Sequence, residues 1–229
     1  MGEITKKRMR PLTVAVLGGT GQEGPGLAMR WALAGYPIII GSRQAEKAEK
    51  TASELNAELG IGTIRGLQNN EAARQADISV LTVMFSAHKA AVESLRGDLE
   101  GKILVDATAR VDFRDPKPPS PPSAARLAQN ILGVEVRVVA AFQNVPAHVL
   151  RKKLGQKLHT DVLVCADDVD AANTVIQLAN GGQMRAYYAG DLDSAIVVEG
   201  LTALLIGINK HYGVKTASIG VVGLPTEGI

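Results

Sequence analysis

The feature that most constrains this chain is a glycine-rich turn between an apolar run and an apolar helical pattern. The glycines at positions 19, 21 and 24 fit the pattern G-x-G-x-x-G directly after the run at residues 12–17. In a strand–turn–helix these glycines allow a tight turn, close approach of the backbone to a diphosphate, and close packing of helix on strand. Free N–H groups at the helix start attract the diphosphate. The glycine pattern alone is a weak signal and a plain loop is the alternative, but the flanking elements favour a dinucleotide site.

Glu23 lies inside this turn, where a carboxylate would repel a diphosphate. Pro25 follows at a position that suits a first helical turn, where a missing N–H costs nothing. We therefore expect the backbone of Glu23 to contribute to the site and its side chain to point away.

The end of the second predicted strand indicates which dinucleotide binds. This strand ends about 20 residues beyond the last glycine, where NAD-binding proteins place Asp or Glu on the ribose 2′-hydroxyl. The chain has Ser42 and Arg43 there instead, and Lys47 follows one helical turn later. A hydroxyl and two cations suit a 2′-phosphate, so the sequence predicts NADP. The alternative is that Arg43 and Lys47 only mark the exposed start of a helix; relative affinity for NADPH and NADH decides between the two.

Strand and helix patterns alternate along the chain, which predicts an α/β fold with a doubly wound parallel (Rossmann) sheet and a smaller C-terminal α/β domain. We expect a disordered tail at residues 1–10, an NADP-binding domain at 11–144, and a substrate and dimerisation domain at 145–229. The predicted strands are residues 12–17, 36–43, 63–67, 77–83, 102–106, 136–141, 161–166 and 183–188. The predicted helices are residues 24–34, 45–59, 69–76, 124–132, 168–178 and 194–209.

Three segments outside the regular elements bear on substrate binding. Met84 and Phe85 follow the fourth strand, where they can lie against the nicotinamide ring or simply pack in a loop. Residues 142–147 leave another strand end on the side of the glycine turn, so a second substrate should meet them there. Residues 114–123 contain five prolines and form either a lid edge or a surface detour.

The predicted helix at 194–209 has almost no polar face, and it is shorter than the ~20 residues that span a bilayer. Such a helix must be buried, here by its own domain and by a second subunit, so we expect a homodimer and no membrane insertion.

Charge and cysteine content argue against a nucleic-acid-binding protein and a secreted protein. With 25 basic and 23 acidic residues the net charge is +2, which is too small for a nucleic-acid-binding field. We interpret the basic cluster Lys6, Lys7, Arg8 and Arg10 as a solvated tail. Cys165 has no partner for an intrachain disulfide, and the N-terminus lacks an uninterrupted apolar region typical of a secretory signal, so we expect a cytoplasmic protein. The four histidines lack metal-site spacing, so we predict no metal.

Four motifs occur in a fixed order: GGTG at 18–21, GSR at 41–43 with Lys47, NVPA at 144–147 and EGLT at 199–202. Together they resemble the NADPH-dependent reductases of the deazaflavin coenzyme F420, the deazaflavin:NADP oxidoreductase family. The resemblance covers about residues 12–224.

This resemblance implies hydride exchange between NADPH and the F420 deazaflavin, held over the nicotinamide, in a homodimer. No side chain is then needed as a catalytic acid or base, because the two rings exchange the hydride directly. Gln143 and Val145, together with Ile219, would face the deazaflavin. The residues expected to hold NADP are Gly19, Thr20, Gly21, Gln22, Glu23, Ser42, Arg43 and Lys47 at the phosphate end, with Met84, Phe85 and Ala147 at the nicotinamide end.

The chain departs from the family where members have Pro at the position of Met84, and where some have His at the position of Gln143. These departures concern the second substrate, so two alternatives stay open. One is an NADPH-dependent reductase of an imine, a carbonyl or a chelated metal, although such reductases of imines and carbonyls generally need a proton donor and no Tyr-x-x-x-Lys pair is present. The other is a non-catalytic module that binds NADPH.

Overall fold

A computed structural model describes residues 10–224, so residues 1–9 of the predicted tail, with Lys6, Lys7 and Arg8, lie outside the described part. The strands are β1 Val14–Leu17, β2 Ile38–Ser42, β3 Ile64–Gln68, β4 Ile78–Leu81, β5 Ile103–Asp106, β6 Arg137–Ala140, β7 Val162–Ala166 and β8 Ala186–Tyr188. The helices are α1 Gly24–Leu33, α2 Ala45–Leu59, α3 Asn69–Gln75, α4 Phe85–Leu95, α5 Ala124–Leu132, α6 Ala147–Leu150, α7 Val169–Gly181 and α8 Ala195–Tyr212.

These strands form one sheet in the order β3-β2-β1-β4-β5-β6-β7-β8. Strands β1 to β6 are parallel, β7 is antiparallel to β6, and β8 is parallel to β7. The strand order reverses direction at β1 and β4, which is the switch point where doubly wound sheets bind ligands. The predicted Rossmann fold is confirmed, and the strands after residue 145 continue the same sheet.

The central strands are apolar on both faces because helices cover both sides of the sheet. Alternate residues of β1 divide between two hydrophobic clusters: Val14 and Val16 face one cluster, and Ala15 and Leu17 face the other. This alternation follows from the two-residue period of a strand. All four residues of β1 are buried, so the turn that follows starts from a rigid support.

Two helices, α4 and α6, did not emerge from the sequence patterns. The buried residues of α4 are His88, Val92 and Leu95, spaced for a helix, but only two of them are apolar. His88 is buried because it pairs with Asp106 of β5, a contact between distant parts of the chain. Helix α6 is a single turn of four residues, too short for a periodic pattern.

None of the helices within residues 10–224 combines the length and the apolar character that crossing a membrane requires.

Candidate functional site

One cavity of about 970 Å³ opens at the carboxyl ends of β1, β4, β5 and β6. Its volume lies within the range of sites that hold small molecules and cofactors, roughly 300–1,000 Å³. The lining residues are Gly21, Gln22 and Glu23 of the glycine turn, residues 82–86 after β4, residues 107–113 after β5, residues 143–148 after β6, and Thr202, Leu205, Ile206 and Asn209 of α8.

The glycine turn has the geometry of a diphosphate cradle. A Cβ atom on Gly19 would lie 2.5 Å from the carbonyl oxygen of Val16, and a Cβ on Gly24 would lie 2.6 Å from the Cα of Gly19, so both positions require glycine. At Gly21, by contrast, the nearest atom to such a Cβ would be 3.7 Å away, which leaves space for a ligand. These three glycines therefore meet the three requirements of the dinucleotide motif.

The N–H groups of Gln22, Glu23 and Gly24 have no hydrogen-bond acceptor among residues 10–224. They lie at the start of α1, where the helix dipole is positive. Three unpaired donors at this point fit the diphosphate of a dinucleotide.

The second-strand residues Ser42, Arg43 and Lys47 share an edge of the sheet with this turn. The backbone of Gly19 donates to the carbonyl of Gly41, which ties the turn to the end of β2. Arg43 and Lys47 are exposed and form no ion pair with another described residue, so both cations are available to a ligand.

Asn69, at the start of α3, is a residue that the sequence reasoning missed. Its Oδ1 accepts a hydrogen bond of 3.1 Å from the N–H of Gly18 and so fixes the first glycine of the turn. The signal that could have found it is its position directly after β3, at the carboxyl edge of the sheet.

Met84 and Phe85 both line the cavity and are 64% and 39% exposed. The Phe85 ring is stacked on His88 with the ring centroids 5.9 Å apart. The guanidinium of Arg110 also lies over the Phe85 ring, 5.0 Å from the ring centroid. Met84 and Phe85 therefore contribute apolar side chains to the cavity wall, and their contact with a flat ring stays a prediction.

A buried pair, His88 and Asp106, lies below Phe85. The Nε2 of His88 is 2.6 Å from Oδ2 of Asp106, and Oδ1 of Asp106 accepts the N–H of Thr108 at 2.9 Å. This pair fixes both α4 and the segment after β5 relative to the sheet. Sequence reasoning did not find it, because the two residues belong to different elements.

Gln143 follows Phe142, which has a positive φ of 78°, and lies in the cavity wall. Its Nε2 donates to the carbonyl oxygen of Asp106 at 2.7 Å, while its backbone carbonyl accepts from Oγ1 of Thr202. Because a carbonyl can only accept, this bond determines which end of the Gln143 amide is nitrogen. The Oε1 of Gln143 is buried without a partner in the described structure, so an acceptor remains for a ligand.

Val145 and Ala147 line the same cavity, whereas Ile219 does not. The carbonyl of Ile219 accepts the N–H of Asp161 at 2.9 Å, and the carbonyl of Asp161 accepts from Nδ2 of Asn144. Ile219 is thus linked through Asp161 to Asn144, in the segment after β6, without contributing to the cavity wall.

Glu199 of α8 joins the two ends of the chain that flank the proline-rich segment, residues 114–123. One carboxylate oxygen of Glu199 accepts the N–H of Ala124 at 2.6 Å, and the other accepts the N–H of Arg110 at 3.1 Å. The guanidinium of Arg110 donates to the carbonyls of Ser120 and Pro122. Burial raises the pKa of Glu199 to about 7, although both N–H bonds favour the ionised form. The cavity lining ends at Phe113, directly before this segment, and Pro116 and Pro118 instead line a separate groove along α8.

Glu23 lines the cavity as well, and the Oε1 atom of its carboxyl group is buried without a hydrogen-bond partner among residues 10–224. Burial raises the pKa of Glu23 to about 8. No group of three or more His, Cys, Asp and Glu side chains in the same part of the chain is arranged to hold a metal.

Known proteins with similar sequences are described as NADP-dependent, which agrees with a dinucleotide site at the glycine turn. Residues 13–110 match a family described as NADP oxidoreductase coenzyme F420-dependent. The chain is 39% identical to the F420-dependent NADP reductase of Methanocaldococcus jannaschii, over 93% of this chain and 99% of that protein. It is 36% identical to the F420-dependent NADP reductase of Methanothermobacter thermautotrophicus, over 94% and 97%.

The fold has a solved counterpart in a protein from Arthrobacter sp. FB24, with a TM-score of 0.76, 24% identity, and coverage of 93% of this chain and 100% of that one. The identity to the two reductases extends over nearly the whole of each chain, far beyond the glycine turn that many dinucleotide-binding proteins share. The chain therefore belongs to the family of coenzyme F420-dependent NADP oxidoreductases.

Proposed function

We propose that this protein is an NADP-dependent oxidoreductase that transfers a hydride between NADPH and coenzyme F420. The observation that carries this function is the near full-length identity of 36–39% to reductases named for that activity. This function is supported by one continuous cavity, which runs from the unpaired N–H groups of the glycine turn to the apolar residues after β4 and β6.

At the phosphate end, NADP would be held by the backbone of residues 19–23 and by the side chains of Ser42, Arg43 and Lys47. The backbone N–H groups bind the diphosphate, and the two cations bind the 2′-phosphate. At the other end, Met84, Phe85 and Ala147 would contact the nicotinamide.

Gln143 and Val145 would hold the deazaflavin, Gln143 through its unpaired Oε1 and Val145 through apolar contact. When bound, the nicotinamide and deazaflavin rings supply the hydride donor and acceptor, so the protein contributes orientation and exclusion of water. Phe85, Phe113 and Ile206 give the cavity an apolar wall for that purpose. Ile219 would contribute only through the backbone that supports Asn144.

We propose a functional division of the chain at residue 144. The part at 11–144 holds NADP, and the part at 145–229 supplies the second-substrate wall and the dimer surface. Val197 and Leu204 of α8 support the homodimer, since they are 65% and 58% exposed on one helix. An apolar groove of about 420 Å³ runs along this face, lined by Pro116, Pro118, Ala203, Leu204, Gly207, Ile208, His211 and Tyr212.

We also propose that the protein works in the cytoplasm. Cys165 is buried, and burial raises the pKa of its thiol to about 11, so it is a core residue rather than a reactive thiol. A chain with a single cysteine suits a reducing compartment.

The decisive experiment mixes the protein with NADPH and oxidised F420 and follows the absorbance of both. We expect both substances to change together in a one-to-one ratio, and NADH to replace NADPH poorly. Turnover with an imine, a carbonyl or a chelated metal ion but none with F420 would instead favour the alternative reductase. Binding of NADPH without turnover of any acceptor would favour the non-catalytic module.

A further inference from the structure

Glu23 is an acidic residue at the N-cap of α1, inside the turn that binds the diphosphate in the proposed function. Its own carbonyl accepts the N–H groups of Gly26 and Leu27, so its backbone position is fixed by the first turn of the helix. Its Oε1 is buried and bonds to no described residue. Glu23 as a residue is half-buried, but a carboxyl oxygen that is buried without a partner is unusual and needs an explanation.

The carboxyl group leaves the nearby donors unused. The side chain of Glu23 forms no capping hydrogen bond with the start of α1, and the N–H groups of Gln22, Glu23 and Gly24 have no acceptor among residues 10–224. In the free protein the three donors therefore stay available for a ligand.

The surroundings of Glu23 favour its uncharged form. Burial raises the pKa of Glu23 to about 8, and burial alone accounts for this increase. The charged and titratable residues on the neighbouring elements do not contribute to this shift. They are Arg43 and Lys47 after β2, Arg110 and Asp112 after β5, His148 on α6, and Arg151 directly after α6. At neutral pH the side chain is thus mostly a carboxylic acid.

We propose that Glu23 binds the nucleotide as a neutral carboxylic acid, with a proton taken from solvent, and that affinity for NADP(H) falls when Glu23 ionises. This inference rests on the proposed function, because it requires the dinucleotide at the glycine turn. A bound diphosphate occupies the three N–H groups and brings two negative charges. An ionised Glu23 would then have no donor and would face like charge, whereas the neutral acid can donate its O–H to a phosphate oxygen.

The proton linkage has a defined sign. Nucleotide binding raises the proton affinity of Glu23. Below about pH 7 to 8, Glu23 therefore does not change the dissociation constant of NADPH, and above this range its ionisation increases that constant. With one linked proton the dissociation constant should increase about tenfold between pH 7 and pH 9. The 2′-phosphate titrates near pH 6 and does not interfere in this range.

The test measures the dissociation constant of NADPH from pH 7 to pH 9 for the wild type, Glu23→Gln and Glu46→Gln. The amide of Glu23→Gln has the size of the neutral acid but cannot ionise, so its affinity should not vary over this range. Glu46 is an exposed acid in the first turn of α2, close in sequence to Arg43 and Lys47, and Glu46→Gln should keep the wild-type pH dependence.

Calorimetry at pH 8.5 in two buffers of different ionisation enthalpy measures the proton directly. We expect wild-type protein to take up roughly three-quarters of a proton per NADPH and Glu23→Gln to take up none. A flat wild-type profile, or an equal slope in Glu23→Gln, would overturn the role of Glu23 while NADPH binding at pH 7 still supports the proposed function. If the wild type does not bind NADPH even at pH 7, the proposed function fails, and the inference fails with it.

Discussion

At the scale of single residues, Arg43 should determine which nicotinamide nucleotide the protein prefers. It is exposed at the end of β2 and has no described carboxylate partner, so its guanidinium is free to bind a 2′-phosphate. Charge-assisted bonds of this kind are worth about 1.5–3 kcal/mol, so Arg43→Glu should weaken NADPH binding by roughly ten- to a hundredfold and leave NADH almost unchanged. Titration of both nucleotides, followed by fluorescence, gives the ratio.

Lys50→Glu is the matched control for this change, because Lys50 is an exposed cation on α2, the helix that follows Arg43, and it pairs with Glu54. It should alter the preference for NADPH little. If Arg43→Glu keeps the wild-type ratio of the two affinities, the recognition of the 2′-phosphate by this edge of the sheet is contradicted.

Glu199 should make the stability of the protein depend on pH. Its pKa is about 7 in the folded protein, against 4.5 as the ordinary value, so the folded state binds the proton more tightly than the unfolded state. The stability that this proton confers is complete below pH 4.5 and is lost as the pH rises towards 7. At about 1.36 kcal/mol per pKa unit, the loss is on the order of 3 kcal/mol.

Urea unfolding at pH 5, 6 and 7.5 tests this expectation. Glu199→Gln cannot ionise at this position, so its free energy of unfolding should not show this loss as the pH rises. The difference in free energy of unfolding between wild type and variant should therefore change by about the same amount from pH 5 to pH 7.5. Glu100→Gln removes an exposed acid and should follow the wild type. Parallel curves for the wild type and Glu199→Gln would show that the carboxyl group of Glu199 does not titrate between these values.

Local sequence information was enough to predict the positions of the residues at the proposed phosphate end, but not the residues that support them. Arg43 and the three glycines lie where the motifs predict them, because strand ends and turns depend on nearby residues. His88 and Asp106 escaped detection because each gains its role only from the other, 18 positions away in the chain. Glu199 belongs to the EGLT motif, but the sequence does not reveal that its carboxylate accepts hydrogen bonds from Arg110 and Ala124 on either side of the proline-rich segment.

At the scale of elements, periodic apolar patterns predicted most strands and helices to within a few residues. The first strand was expected at residues 12–17 and is Val14–Leu17, and the last helix was expected at 194–209 and is Ala195–Tyr212. The antiparallel pairing of β7 with β6 could not be predicted, because strand neighbours and direction depend on contacts between distant segments.

Helix α8 should pair with a second copy of itself. Val197, Leu201, Leu204 and Ile208 are spaced by four, three and four residues, the spacing of a helix–helix seam. A charge at its centre would be buried in the dimer without a partner, so Leu204→Glu should convert the dimer to a monomer. Sedimentation velocity at micromolar concentration measures the mass.

Val169→Glu is the control for this prediction. Val169 is 51% exposed at the start of α7, outside the seam, and an acidic residue is favourable at a helix start. This variant should keep the mass of the wild type. A monomeric wild-type protein would contradict the homodimer directly.

At the scale of the whole molecule, the two functional parts should unfold together. The buried Arg30 of α1 donates to the carbonyls of Leu150, Lys152 and Gln156. One hydrophobic cluster includes residues from both parts, from Val14 of β1 to Ala186 of β8. The proposed division at residue 144 concerns ligand roles only, since both hydrophobic clusters contain residues from before and after it.

Arg30→Leu tests this coupling. The change leaves several carbonyl groups without a donor at about 1 kcal/mol each, so the free energy of unfolding should fall by roughly 3 kcal/mol. Trp31, the only tryptophan, donates from Nε1 to the carbonyl of Leu178 and reports on the contact between the two parts. In the wild type, Trp31 fluorescence and the far-ultraviolet circular dichroism should change at the same urea concentration. In the variant both should again change together, at a lower urea concentration.

Arg96→Leu, at an exposed arginine, should unfold like the wild type. Two separate transitions in the wild type would show that the parts are independent folding units, and the loss of Arg30 would then weaken only their contact.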